Sequence, residues 1–226
     1  MRRLVGFDTE TTGVQIGEDR IVTAALVRRI PGAAEETATW LVNPGVEIPA
    51  RATAVHGITT ERARAEGRDP VEVLEAVAGQ LAEALGQGLA VLAFNAAYDL
   101  RILKAELERH GLATLEERLG GRVAPVIDPL VIDRGADRYR RGKRALADLI
   151  GVYGLGSSGN LHDALEDVRQ SIAVFDAIER RHASIAAMDL ATLHAWQRKA
   201  HRQWAEHFNE WLSSQGRPAD VDPEWP

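Results

Sequence analysis

The 226-residue chain has no cysteine. Disulfides and thiolate zinc sites are therefore excluded, and a reducing compartment is compatible with the sequence. Long apolar runs are also missing, since nothing approaches the roughly 18 residues of a membrane-spanning helix. The opening MRRLVGFDTE has two arginines but only a short, weakly apolar stretch, too little for a signal-peptide core. These absences lead to the expectation of a cytoplasmic protein with no membrane contact. Positive charge is in deficit: 27 Lys and Arg face 33 Asp and Glu, a formal net charge of −6. That argues against coating a duplex by phosphate neutralisation alone, but is compatible with gripping one strand end through metal ions. No internal repeat or low-complexity block stands out. The length suffices for one buried core plus an appendage.

Residues 1–9, 20–29 (RIVTAALVRR) and 37–43 (TATWLVN) read as three strands with short links, an antiparallel meander. A Pro/Gly-punctuated segment follows. Val73, Leu74, Val77, Leu81 and Leu85 then recur at helical spacing over 70–86. Residues 89–95 (LAVLAFN) read as a buried strand, 98–110 as a helix stopped by Gly111, and 123–128 as a short strand before Pro129. A short helix begins at 145–149. A long one opens near Leu161, with Leu165, Val168, Ile172 and Phe175 on one face. This order predicts an α/β fold with a mixed β-sheet flanked by helices. Residues 189–214 form a further amphipathic helix, with Leu193, Trp196, Ala200, Trp204, Phe208 and Trp211 on one stripe. It either packs back on the core or offers a homodimer or partner surface. The final GRPADVDPEWP reads as a tail. The expected division is 1–182 for the main domain and 183–226 for a C-terminal helical extension and tail.

The densest chemistry is FDTETTG, 7–13. Asp8 and Glu10 end the first strand two residues apart and so share a face. Two carboxylates in an apolar strand are costly unless a positive charge sits between them, and a divalent cation held by oxygens meets that need. Asp99, in AFNAAYDLRIL, opens a helix, where it either joins the pair or complements the helix dipole. In NLHDALEDVRQS, 160–171, His162 precedes a helix and Asp167 lies one turn inside it. The two converge near the helix end, or Asp167 pairs with a cation elsewhere.

Carboxylate-x-carboxylate on the first strand, a helix-start Asp mid-chain and a His-to-Asp pair opening a late helix resemble the ordered motifs of the DnaQ-like (DEDDh) 3′–5′ exonuclease family. That family includes the epsilon proofreading subunit of bacterial DNA polymerase III, the RNase T type and oligoribonucleases. FDTETTG matches its first motif residue for residue, FNAAYDLRIL resembles the second with Phe94 where many members have His, and HDALEDVR resembles the third. The resemblance covers about residues 4–178. It implies a ribonuclease H-like sheet, with two divalent cations, Mg²⁺ or Mn²⁺, held by Asp8, Glu10 and Asp167 directly and by Asp99 directly or through water. Asp8 would bridge the ions, and His162 would be the general base of this catalytic set.

The resemblance also implies that Thr11, Thr12 and Gly13 meet the 3′ end, and that Val55 and His56, in AVHGIT, line the terminal-base pocket. A plain strand-exit turn and a surface loop are the other readings. Asn95 either contacts substrate or caps its helix. RGADRYRRGKR, 134–144, is the most basic segment. Arg138, Arg140, Arg141, Lys143 and Arg144 would grip phosphates with Tyr139 stacking on a base, or would form a solvated loop.

The expected function is a metal-dependent exonuclease acting at single-stranded or frayed 3′ ends of DNA, with a polymerase or repair partner. The alternatives are an RNA 3′-exonuclease or oligoribonuclease, a polymerase accessory subunit used mainly for binding, and, less favoured by the motif order, another metallohydrolase.

Overall fold

The computed structural model describes residues 1–156 and 163–226. Its strands are β1 (Leu4–Thr11), β2 (Ile21–Arg29), β3 (Glu36–Leu41), β4 (Ala90–Leu92) and β5 (Val126–Ile127). The helices are α1 (Ala50–His56), α2 (Thr60–Glu66), α3 (Pro70–Gly86), α4 (Ala96–Arg109), α5 (Leu115–Leu119), α6 (Pro129–Ala136), α7 (Leu146–Val152), α8 (Ala164–Arg181), α9 (Ala183–Ala186) and α10 (Leu190–Ser214). The sheet order is β3-β2-β1-β4-β5. The first three strands pair antiparallel, and β4 and β5 join parallel to β1. The expected meander and mixed sheet are both present.

Alternation along β1 gives each face its own core. Val5 and Phe7 pack with Leu74, Leu81 and Leu103 of α3 and α4. Leu4 packs on the opposite face with Val168, Ile172 and Phe175 of α8. Even-numbered residues of β1 therefore look toward α8. Gly6 lies on that side, where a Cβ would stand 3.0 Å from Ile172 Cδ1 and closer still to Val168 Cγ1. The missing side chain is what lets α8 lie against β1.

Five short helices, α1, α2, α5, α6 and α9, occupy segments where no helix was expected. They are too short to display a full apolar period, and caps hold three of them. Thr59 accepts from Arg62 N at the start of α2, and Thr114 and Glu117 form a reciprocal capping box on α5. Asp128 caps α6, with Pro129 in its first turn.

Two expectations at the C-terminal end require correction. On α10 the buried residues are Leu193, Gln197, His201, Ala205 and Leu212, one position round from most of the aromatic stripe. Hydrogen bonding explains the burial of polar groups. β5 is an edge strand, and α10 completes its outer edge: Val126 N donates to His194 Nδ1 (3.1 Å), Asp128 N to Gln197 Oε1 (2.7 Å), and Gln197 Nε2 to Val126 O (2.9 Å). Secondly, residues 217–226 are a docked strap rather than a loose tail. Trp225 is 4% exposed within the α3/α4 core. Asn209 exchanges two hydrogen bonds with Val221, and Arg101 pairs with Asp222 at 2.5 Å.

Candidate active site

The site lies at the carboxyl end of β1, beside β4, where the chain departs to both sides of the sheet. In open α/β sheets such switch points are where ligands bind. Asp8 and Glu10 leave the same face of β1, and Asp167 reaches them from the first turn of α8. Ligand oxygens of these three residues lie within 4.8 Å of one another. The β1/β2 register shifts between Glu10 and Thr11, so the irregularity falls at the end of the acidic strand.

Asp99 arrives from the first turn of α4 and is 3% exposed. Its Oδ1 accepts from both Thr9 N (3.1 Å) and Thr9 Oγ1 (2.7 Å). Thr9 thus ties α4 to the strand between the two acids. Asp163 caps α8, accepting from Leu165 N and Glu166 N, and adds a further negative charge nearby. Four carboxyls expected at this site, Asp8, Glu10, Asp99 and Asp167, are brought together. The expected His162 lies outside the described residues.

Burial and mutual repulsion act together on these acids. Burial pushes the Asp8 carboxyl well above the usual range, and Asp99, Asp167, Glu10 and Asp163 push the same way. Burial, then Asp167, Asp99 and Asp163, raise Glu10 to about 8. Burial also raises Asp99, to about 7, against the opposing pull of the Thr9 hydrogen bonds. A cluster that resists ionising alone, with only oxygen ligands, is a fitting cradle for hard divalent cations.

Two recesses flank the cluster. One, of about 630 Å³, is lined by Glu10, Val55, His56, Trp40, Asp163 and Leu165 among others. Val55 is 50% exposed there, while His56 Nδ1 accepts from Ile58 N. The other, about 510 Å³, is lined by Asp8, Asp99, Asn95, Tyr98, Arg134 and Arg144 among others. Asn95 makes no side-chain cap. Its left-handed backbone (φ 62°) turns β4 into α4 while its N–H donates to Asp128. The side chain is left exposed beside the second recess.

Thr11 and Thr12 are committed to the turn. The Thr11 and Tyr98 hydroxyls both donate to Gly13 O, and Thr12 Oγ1 donates to Asp19. In the basic segment, Arg140 and Arg144 both pair with buried Asp133, whereas Arg138, Tyr139, Arg141 and Lys143 are exposed.

Three supporting residues went unread in the sequence. Thr9 was hidden inside its own motif. Asp128 accepts from Asn95 N, Ala96 N and Leu130 N, and the Asp-Pro pair at a helix start was the available signal. Asp133 carried no signal, because its partners lie 7 and 11 residues away on a connection without periodicity.

This architecture, a mixed five-stranded sheet with acids gathered at the end of its central strand, is that of ribonuclease H-like exonucleases. The RNase T family model, described as exonuclease, matches residues 5–175, and the chain belongs to that family. It is 41% identical over 109 residues to a DNA polymerase III subunit epsilon-like protein of Rhodobacter capsulatus, covering 44% of this chain and 14% of the relative. It is 30% identical over 181 residues to the uncharacterized exonuclease CP81 of Escherichia phage 186, covering 78% of this chain and 88% of that one. The zinc-bound form of the E. coli exonuclease I–single-stranded DNA complex superposes with a TM-score of 0.72 at 19% identity, covering 89% of this chain and 44% of that one. The chain therefore spans about a seventh of the Rhodobacter relative and under half of exonuclease I. Among the described residues no helix is long and apolar enough to cross a membrane.

Proposed function

We propose that the chain is a 3′–5′ exonuclease that removes nucleoside 5′-monophosphates from DNA ends. The observation carrying this reading is the convergence of Asp8, Glu10 and Asp167 within 4.8 Å, with Asp99 alongside. Asp8, Glu10 and Asp167 would hold two divalent ions, Mg²⁺ or Mn²⁺, with Asp99 completing the set. Such ions supply charge neutralisation at both the attacking and leaving oxygens and make the attacking water more acidic.

The chain's own residues do the rest. Thr9 holds Asp99 in register with β1. Val55 and His56 would face the terminal base in the recess beside Glu10, and the Thr11–Gly13 turn would bring backbone groups to the terminal sugar. His162 would accept the proton of the attacking water, since a neutral imidazole is a base suited to neutral pH. Residues 1–182 would form the exonuclease domain. Residues 183–226 would be an extension docked on it rather than an independent unit. The epsilon-like relative and the exonuclease I–DNA complex favour DNA as substrate and a polymerase or repair setting for the activity.

The test is release of mononucleotides from 5′-labelled DNA and RNA oligomers of matched sequence, with Mg²⁺, Mn²⁺ or chelator. Stepwise shortening from the 3′ end of DNA, lost with chelator and in Asp8→Ala, is expected. Equal turnover by Asp8→Ala would refute the site, and a preference for RNA would move the chain to the oligoribonuclease reading.

A further inference from the structure

The acidic cluster accounts for the end of a strand but leaves unexplained a second feature that meets it. Between the α6–α7 connection and α10 runs a groove of about 740 Å³. Its thirteen lining residues include five Arg or Lys and no carboxylate, in a chain whose net charge is −6, so the groove is a local reversal of the molecule's sign. The cations Arg134, Arg138 and Lys199 line it together with Trp196, Trp204 and Phe208. Trp204 and Phe208 stack at 5.4 Å with 13° between their planes, and Trp211 continues the row from Phe208 at 5.4 Å and 18°. Arg134 lies 3.8 Å over the Trp204 ring.

Trp196, Trp204 and Phe208 are only partly buried and Trp211 is exposed, so each keeps some surface facing solvent. α6 and α10 meet tightly here: a Cβ on Gly135 would stand 2.5 Å from Trp196. Two of the groove's arginines, Arg134 and Arg144, also line the recess that holds Asp8 and Asp99. The groove and the recess of Asp8 and Asp99 therefore share a wall of two arginines.

We propose that this groove carries the single DNA strand upstream of the 3′ end. Phosphates would run along Arg134, Arg138 and Lys199, and bases would stack on Trp204 and Phe208. Cations that track a backbone beside a row of rings are the chemistry that single strands bind without sequence preference. A folded acidic protein would match the charge but not a ladder of flat faces. The inference rests on the exonuclease reading for the strand's polarity. It reassigns the stacking role from Tyr139, which is 88% exposed and outside the groove, to residues of α10, which lies beyond the family match.

The test compares wild type, R138E/K199E and F208A. Binding of a fluorescent oligothymidylate of about 16 nucleotides is measured by anisotropy across a salt series with Ca²⁺. Cleavage of the same strand is measured against a dinucleotide with Mg²⁺. The double charge reversal should weaken binding by about tenfold or more and flatten the slope of log K against log salt by about 1.4, or 0.7 per lost phosphate contact. F208A should weaken binding about fivefold or more with the slope unchanged. The wild-type preference in KM for the long strand over the dinucleotide should shrink in both variants. Unchanged binding, slope and length preference in both variants would overturn the groove. A wild-type protein that binds the strand with the expected slope but cleaves nothing would overturn the exonuclease reading and leave the groove standing.

Discussion

The acidic cluster and the basic groove touch through Arg134 and Arg144, yet they handle charge in opposite ways. At the cluster, Asp8, Glu10, Asp99 and Asp167 are gathered by the end of β1 and the first turns of two helices, and the neighbouring carboxylates add to burial in raising Asp8 and Glu10. In the groove, the charge is partly balanced from beneath. Asp133, fully buried, accepts from Arg140, Arg144 and the Tyr153 hydroxyl. The lesson is that like charges concentrated around one buried point imply a ligand that the fold does not supply. Charges anchored by an internal counter-ion shape a surface and contribute to holding the fold. Removing a carboxylate should therefore have opposite effects on stability in the two places.

The largest effect expected is on chemistry. Asp167→Ala should reduce mononucleotide release at least about 1000-fold, because loss of a group that organises transition-state charge is costly. A single-turnover assay at saturating Mg²⁺ would measure it, and a loss under tenfold would detach Asp167 from the cluster. On the groove side, Asp133→Asn should cost about 3–5 kcal/mol by stranding two arginines. Thermal or urea unfolding reads this directly, and a neutral result would mean that the arginines are satisfied by solvent.

Thr9→Val keeps shape while removing the hydroxyl that orients Asp99. Activity should fall about 10–100-fold with little change in unfolding midpoint, as when a supporting hydrogen bond to a metal ligand is lost. Gly6→Ala forces α8 away from β1 and should cost about 1–3 kcal/mol, visible as a lower Tm.

The smallest effect concerns pH. Glu10 rises from 4.5 to about 8 on folding, and Asp99 from 3.8 to about 7, so the fold favours their protonated forms. Their contribution is fully present below pH about 4 and is lost as pH climbs through about 8. Without divalent ions, stability should decline over that window. Added Mg²⁺ should raise Tm by a few degrees more at pH 8 than at pH 5, and this excess should vanish in Asp8→Asn. Scanning calorimetry with and without Mg²⁺ measures the difference.

Much of the acidic site was legible because its signals are local. Period-2 alternation puts Asp8 and Glu10 on one face, and a strand-to-helix change places Asp99 in a first turn. The groove was half legible. The basic run 134–144 and the aromatic row on α10 were each visible, but the sequence does not say that residues some 65 positions apart face one another. The aromatic stripe was also the natural candidate for burial by hydrophobicity alone. It lost to Gln197 and His201, because the open edge of β5 and the returning strap present backbone groups that only polar side chains can satisfy.

The sequence by itself determined the elements whose apolar period is long enough to read, the acids of the first strand, and the order of motifs that resembles a 3′–5′ exonuclease. These depend on neighbours within a few residues. Only the tertiary structure decided which face of α10 is buried, that the last ten residues dock as a strap, that Asp133 anchors Arg140 and Arg144, and that cations and rings from two distant segments line one groove. Each of those outcomes is a competition among partners far apart in the chain, settled by which buried hydrogen bond or charge would otherwise go unmet.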